Sequence, residues 1–177
     1  TTPKSEIFEE IIKLSSSEAY VDLGAYNGDT IEEFLCETNN TYNKIYALEP
    51  DAKNYKKLVK SIDGLPDIFA FKAAAWECDT TLTFANKAGR QSSLSESGIE
   101  TPARSVDSIL CGNSCTLLKM DVEGAEKKAI LGAKVTIENF SPKLMISLYH
   151  RNEDLFELPL LIHEINPNYK LYIRHQL

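Results

Sequence analysis

Apolar residues recur along this chain at two spacings that take turns from one end to the other. Ile7, Phe8, Ile11, Ile12 and Leu14 form a stripe at helical spacing behind Thr2 and Pro3, which opens a leading helix within residues 1–15. Residues 19–24 (AYVDLG) are a short apolar run closed by glycine, the signature of a parallel strand buried on both faces. A helix follows, capped by Asp29 or Thr30, with Ile31, Phe34 and Leu35 inward. Residues 44–50 (KIYALEP) read as a second strand, stopped by proline. The next helix carries Tyr55, Leu58, Val59 and Ile62 on one face and lysines on the other.

The alternation continues. Residues 67–76 (DIFAFKAAAW) predict a third strand and residues 81–85 (TLTFA) a fourth. Residues 86–104, polar and rich in Ser, Gly and Glu, predict a loop. Residues 105–110 (SVDSIL) suit a strand or a helix. Residues 115–124 (CTLLKMDVEG) predict a central strand ending in acidic residues, followed by a helix with Ala125, Ala129 and Ile130 inward. Residues 143–150 (KLMISLYH) predict another buried strand. Residues 153–165 predict a helix with Pro159 near a turn boundary, and residues 169–175 (YKLYIRH) a closing strand. The pattern specifies a Rossmann-like α/β fold, in which a doubly wound, mostly parallel sheet carries helices on both faces. A chain of 177 residues with no linker fits one domain, 1–177.

Charge and composition remove several function classes. The net charge of −7 and pI near 5.0 set the chain against a phosphate backbone, so a nucleic acid partner is not expected. The lysines at 53, 56, 57 and 60 are the solvated face of their helix. No apolar run is long enough to span a membrane, and the first residues do not read as a secretion signal. Cys36, Cys78, Cys111 and Cys115 do not form a metal-binding spacing, and reduced thiols place the chain in the cytoplasm.

The candidate chemistry lies where strands end. In doubly wound sheets, ligands bind beyond the carboxyl ends of the strands, where helix N-termini gather. A dinucleotide turn wants G-x-G-x-x-G, but counting from Gly24 the other two glycine positions hold Tyr26 and Asp29. Asp29 at a helix mouth repels a diphosphate. A sulfonium nucleoside suits the turn better. Asp22 and Asp29 complement positive charge, Asn27 can bond an amino-acid moiety, and the span from Gly24 to Gly28 lets backbone pass closely. Glu49, at the end of the next strand, is placed to accept hydrogen bonds from two ribose hydroxyls.

The segments VDLGAYNGDT (21–30), ALEP (47–50) and LLKMDVEGAE (117–126), in that order, resemble the FkbM-type methyltransferases, which are class I enzymes dependent on S-adenosyl-L-methionine. Residues 142–159 and 168–175 resemble a bacterial branch of that family, so the likeness runs from about residue 19 to 175. It implies cofactor contacts from Asp22, Gly24, Ala25, Asn27, Gly28 and Asp29 at the amino-acid end and from Glu49 and Pro50 at the ribose. Near the adenine it implies Ala74, Ala75, Ser92 and Ser93. Asp121 and Glu123 would face the methyl group and the acceptor. The class I pattern ends in an antiparallel strand pair, of which residues 169–175 would be the first member.

The same resemblance implies O-methylation of a hydroxyl on a sugar or other small-molecule or glycan acceptor. That reaction needs alignment and a group to take the proton, and Asp121, Glu123 and His150 are the candidate bases. Imidazole is the side chain that titrates near neutrality. Asp121 and Glu123 lack a third ligand in the sequence, so no metal is expected. The remaining alternatives are a module that binds S-adenosylmethionine or a partner without turnover, and an NAD-dependent oxidoreductase.

Overall fold

A computed structural model describes residues 7–84 and 98–174. The chain opens with a π-helical segment, α1 (Ile7–Ile12), and then alternates β1 (Ala19–Leu23), α2 (Asp29–Glu37), β2 (Lys44–Leu48), α3 (Ala52–Ser61) and β3 (Ile68–Phe71). Three short strands follow or flank the undescribed stretch: β4 (Ala74–Ala75), β5 (Thr80–Phe84) and β6 (Ile99–Arg104). The second half contains α4 (Val106–Leu110), β7 (Leu117–Met120), α5 (Glu126–Leu131), α6 (Lys134–Phe140), β8 (Lys143–Ile146) and α7 (Asp154–Ile165).

Five strands form one parallel sheet in the order β3-β2-β1-β7-β8. The chain winds outward from β1 to β3, then returns to the other side of β1 for β7 and β8. The winding therefore reverses between β1 and β7, which creates a crevice at their carboxyl ends. A second sheet, β4-β6-β5, pairs β6 antiparallel with β5 and parallel with β4.

Successive side chains of the central strands serve opposite faces, and each face has its own helices. Val21, Leu23, Tyr46, Leu48, Leu118 and Met120 pack with Ile109, Leu110, Ala129, Ile130, Ile137 and Leu158 from α4 to α7. On the other side Tyr20, Ile45, Ala47 and Leu117 meet Ile7, Phe8, Ile31, Phe34 and Leu58. This two-faced burial explains the unbroken apolar runs in β1, β2 and β7. An ion pair closes the amino ends: Glu18, buried, contacts Lys143 and accepts from the hydroxyls of Thr116 and Ser15. Burial pushes its carboxyl up, but these bonds outweigh it and hold the carboxyl below its ordinary value.

Several sequence expectations are corrected. The single strand predicted over 67–76 is two strands in different sheets, because the chain turns at Lys72 and Ala73 and Ala74–Ala75 pairs with β6. Residues 99–104 of the predicted loop form β6, held by the ladder to β5. Residues 105–110, which the sequence leaves open between strand and helix, are a helix entry, because the Ser105 side chain accepts the Ser108 N–H and caps α4. Val59 is 43% exposed rather than inward. Pro159 lies inside α7, where the carbonyl it leaves without a donor belongs to the exposed Leu155. No strand forms over the described residues 169–174. Tyr169 instead donates its hydroxyl to the Pro142 carbonyl at 2.7 Å. Thr2, Pro3, Ser92, Ser93 and His175 lie outside the described residues.

Candidate active site

The turn after β1 is shaped first by the fold. The Gly24 and Ala25 N–H groups both donate to the Leu48 carbonyl at 3.0 Å, which bends the chain toward β2. Gly24 has φ +81°, and a Cβ there would stand 2.0 Å from the Asp121 carbonyl oxygen. Gly28 has φ +96°, with Ser61 Oγ 2.1 Å from the place of a Cβ. Glycine is needed at both positions whether or not a ligand passes. Gly28 is also the N-cap of α2, where neither Asp29 nor Thr30 serves as the cap. Asn27 Oδ1 accepts the Asp29 N–H at 3.3 Å, and the exposed Asp29 accepts the Thr30 N–H at 2.9 Å. Asp29 and Glu32 make the first turn acidic, which is hostile to a diphosphate.

Asp22 lies beneath the start of α2 and is closed off from solvent. It is fully buried, with Oδ1 2.9 Å from Lys119 Nζ and Oδ2 accepting the Thr30 hydroxyl. The Ala25 side chain is likewise fully buried, packed in the core on the α2 side of the sheet. Only backbone at these two positions remains for a ligand.

Glu49 follows β2 and is 6% exposed. Its Oε2 accepts the Tyr26 N–H and its Oε1 the Asp51 N–H, each at 2.9 Å, so one carboxylate ties the first turn to the start of α3. Burial raises its carboxyl above the ordinary value, and the two backbone donors oppose that rise only in part. An ionised carboxylate has about four acceptor positions, more than these two donors occupy. Pro50 beside it is half-buried, and Ala74, 7% exposed, lies beyond the end of β3.

The second half of the site gathers where β7 and β8 end. Asp121 continues β7, donating its N–H to the Leu23 carbonyl at 3.0 Å. The next turn holds Glu123 and Gly124 at φ +55° and +93°, and α5 begins at Glu126. The ring of His150, 9% exposed, stands between these segments. Its Nε2 is 3.6 Å from Asp121 Oδ1 and 3.4 Å from Glu123 Oε2, while Nδ1 is 2.9 Å from Glu126 Oε1. These approaches lack hydrogen-bond geometry, and neither ring nitrogen has a hydrogen-bond partner.

Glu126 is fully buried. One oxygen accepts the Val122 N–H at 3.0 Å and the other has no partner. Burial raises its carboxyl above the ordinary value, against the pull of backbone N–H groups and of His150. Tyr149, 71% exposed, lies tilted at 44° against His150 with centroids 4.1 Å apart and donates to Asp121 Oδ1 at 2.9 Å. Burial and that donated bond push its phenol up to about 12.

The fold thus brings Asp121, Glu123 and His150 together and places Glu49 against the first turn. Lys119 and Lys127, the two lysines closest to Asp121 in the sequence, are engaged by Asp22 and Glu157. Sequence reasoning missed Glu126 and Tyr149, although both lie in the segments that carry the family resemblance. The available signal for Glu126 was its spacing, three residues after Glu123 at a helix start. Tyr149 was flagged only by adjacency to His150.

Comparison with known proteins agrees with this fold. The methyltransferase FkbM domain family matches residues 22–169. A search of curated proteins found no match. Among solved structures, methyltransferase FkbM from Methylobacillus flagellatus is 27% identical with a TM-score of 0.82, over 99% of this chain and 45% of that one. An rRNA methylase from Streptococcus thermophilus (13% identity, TM-score 0.56, 89% of this chain and 76% of that one) shares the fold. So does the fibrillarin/Nop5p complex (18%, 0.51, 85% and 62%). The chain spans less than half of the Methylobacillus protein. Because the family match runs from the buried aspartate of β1 to the tyrosine behind α7, the chain belongs to the FkbM methyltransferase family.

Proposed function

We propose that this chain is an S-adenosylmethionine-dependent methyltransferase domain acting on a hydroxyl of a sugar or other small-molecule or glycan acceptor. The observation that carries the reading is that a carboxylate suited to a ribose, after β2, and a buried imidazole among acids, after β8, flank the crevice between β1 and β7 at the same edge of the sheet. The residues fit the cofactor. Glu49 retains acceptor capacity for paired hydroxyls, and Asn27, Asp29 and the turn backbone line the amino-acid end beside an acidic helix start. S-adenosylmethionine, when bound, supplies the activated methyl group. The cluster of Asp121, Glu123 and His150 receives the acceptor's hydroxyl proton. The exposed ring of Tyr149 offers an amphipathic surface beside that cluster, which suits the apolar face of a sugar.

The net charge of −7 supports an acceptor other than nucleic acid. Among the described residues no helix is long and apolar enough to cross a membrane, and the four free thiols suit a reducing compartment, which we take to be the cytoplasm. Calorimetric titration with S-adenosylhomocysteine and NADH tests the cofactor, with binding of the first and not the second expected. Asp121→Asn should then lower methyl transfer to a hydroxylated acceptor more than it lowers S-adenosylhomocysteine affinity. Tighter NADH binding, or unchanged turnover in that variant, would overturn the corresponding part.

A further inference from the structure

We propose that Asp121, Glu126 and His150 form a binding site for one divalent transition-metal cation, with Glu123 at its rim. This rests on reading the crevice as the acceptor side of the active site and adds what the sequence left out. On sequence grounds two carboxylates had no third ligand; the fold supplies an imidazole and a further carboxylate. One ligand atom from each of the three residues lies within 4.8 Å of the others.

Three observations point to a cation. The His150 ring is nine-tenths buried, yet neither nitrogen has a hydrogen-bond partner, and the buried Glu126 has an oxygen in the same condition. Buried polar atoms in such numbers call for a partner. The separations also suit shared coordination. Ligands about 2.1 Å from a metal are roughly 3.0 Å apart at octahedral angles and roughly 3.4 Å apart at tetrahedral ones. His150 Nε2 stands 3.6 Å from Asp121 Oδ1 and 3.4 Å from Glu123 Oε2, close to that range and without hydrogen-bond geometry, while Nδ1 on the other side of the ring lies 2.9 Å from Glu126 Oε1. The donor set, one imidazole among carboxylates, favours Mn²⁺, Fe²⁺ or Zn²⁺ over Mg²⁺ or Ca²⁺. Asp121 and Glu123 keep the open side of the site, their side chains being 34% and 41% exposed, so an acceptor oxygen has room to reach the cation, and with Asp121 and His150 engaged as ligands the acceptor's proton passes to Glu123.

The test uses the 177-residue chain stripped with chelator and titrated with MnCl₂ and, separately, ZnCl₂. Uptake is read by calorimetry and, for Mn²⁺, by loss of the free-ion paramagnetic resonance signal. One ion per chain is expected. Asp121→Asn and His150→Ala should each weaken uptake at least tenfold, while His163→Ala, which removes an exposed histidine of α7, leaves it unchanged. No saturable uptake of either ion by the unmodified chain overturns the site, as does equal uptake by the Asp121 and His150 variants. S-adenosylhomocysteine is titrated into the same samples. Its binding without metal uptake overturns the cation site alone, and metal uptake without its binding overturns the cofactor reading and leaves the cation site standing.

Discussion

Replacing Gly24 with alanine separates two reasons for a glycine in the first turn. If glycine is there to let a ligand approach, alanine should weaken binding and leave the fold intact. The structure gives another reason. A Cβ on Gly24 would stand 2.0 Å from the Asp121 carbonyl oxygen and 3.0 Å from its carbon. These are main-chain atoms held by the parallel ladder between β1 and β7, so they cannot rotate aside as a side chain would. Forcing an L-residue to φ +81° costs about 1–2 kcal/mol. Overpacking against an unyielding neighbour adds about 1–3 kcal/mol. Gly24→Ala should therefore lose about 2–5 kcal/mol, a large share of the ~5–15 kcal/mol typical of a domain. Urea denaturation followed by far-ultraviolet circular dichroism measures this as a lower midpoint at unchanged slope. Because Asp121 must move, S-adenosylhomocysteine affinity and turnover should fall together. A stability change below ~0.5 kcal/mol alongside a tenfold loss of affinity would refute the argument and return the glycine to the ligand.

The other predictions concern charge. Glu49→Gln turns an amide N–H toward one of the backbone donors of Tyr26 and Asp51, and should weaken S-adenosylhomocysteine binding by about 1–3 kcal/mol in calorimetry. Because the Glu49 carboxyl titrates above its ordinary 4.5, affinity in the unmodified chain should decline on acidification before pH 4.5 is reached, as protonation removes acceptor sites. A flat affinity down to that pH would remove Glu49 from the site. Glu18 has the opposite sign. Its folded carboxyl lies below 4.5, so its contribution is present above the unfolded value and is lost as pH falls through the folded one. Glu18→Gln should flatten the acid limb of a stability profile measured by urea midpoints. Asp22→Asn leaves Lys119, whose side chain is 15% exposed, without its counter-charge, and should cost about 3 kcal/mol. A loss under 1 kcal/mol would show that Lys119 reaches solvent.

The sequence by itself determined the alternation of buried parallel strands with helices and the strand ends where chemistry gathers. Runs such as residues 19–24 and 117–120 are apolar at successive positions because both faces of a parallel strand are covered, and that need leaves a local mark. Acids at 49, 121 and 123 follow such strands directly, so their place at the carboxyl edge was legible. The tertiary structure alone decided what each carboxylate touches. Asp22 and Asp29 are similar in sequence, but one is turned inward onto Lys119, 97 residues away, and the other faces water. Likewise His150 and Glu126 meet because β7 and β8 are neighbours, a pairing that no local pattern encodes. Residues 99–104 were misread for the same reason: their strand exists through the ladder to β5. Periodicity reports which face of an element is buried, while contacts between elements depend on how the sheet is ordered.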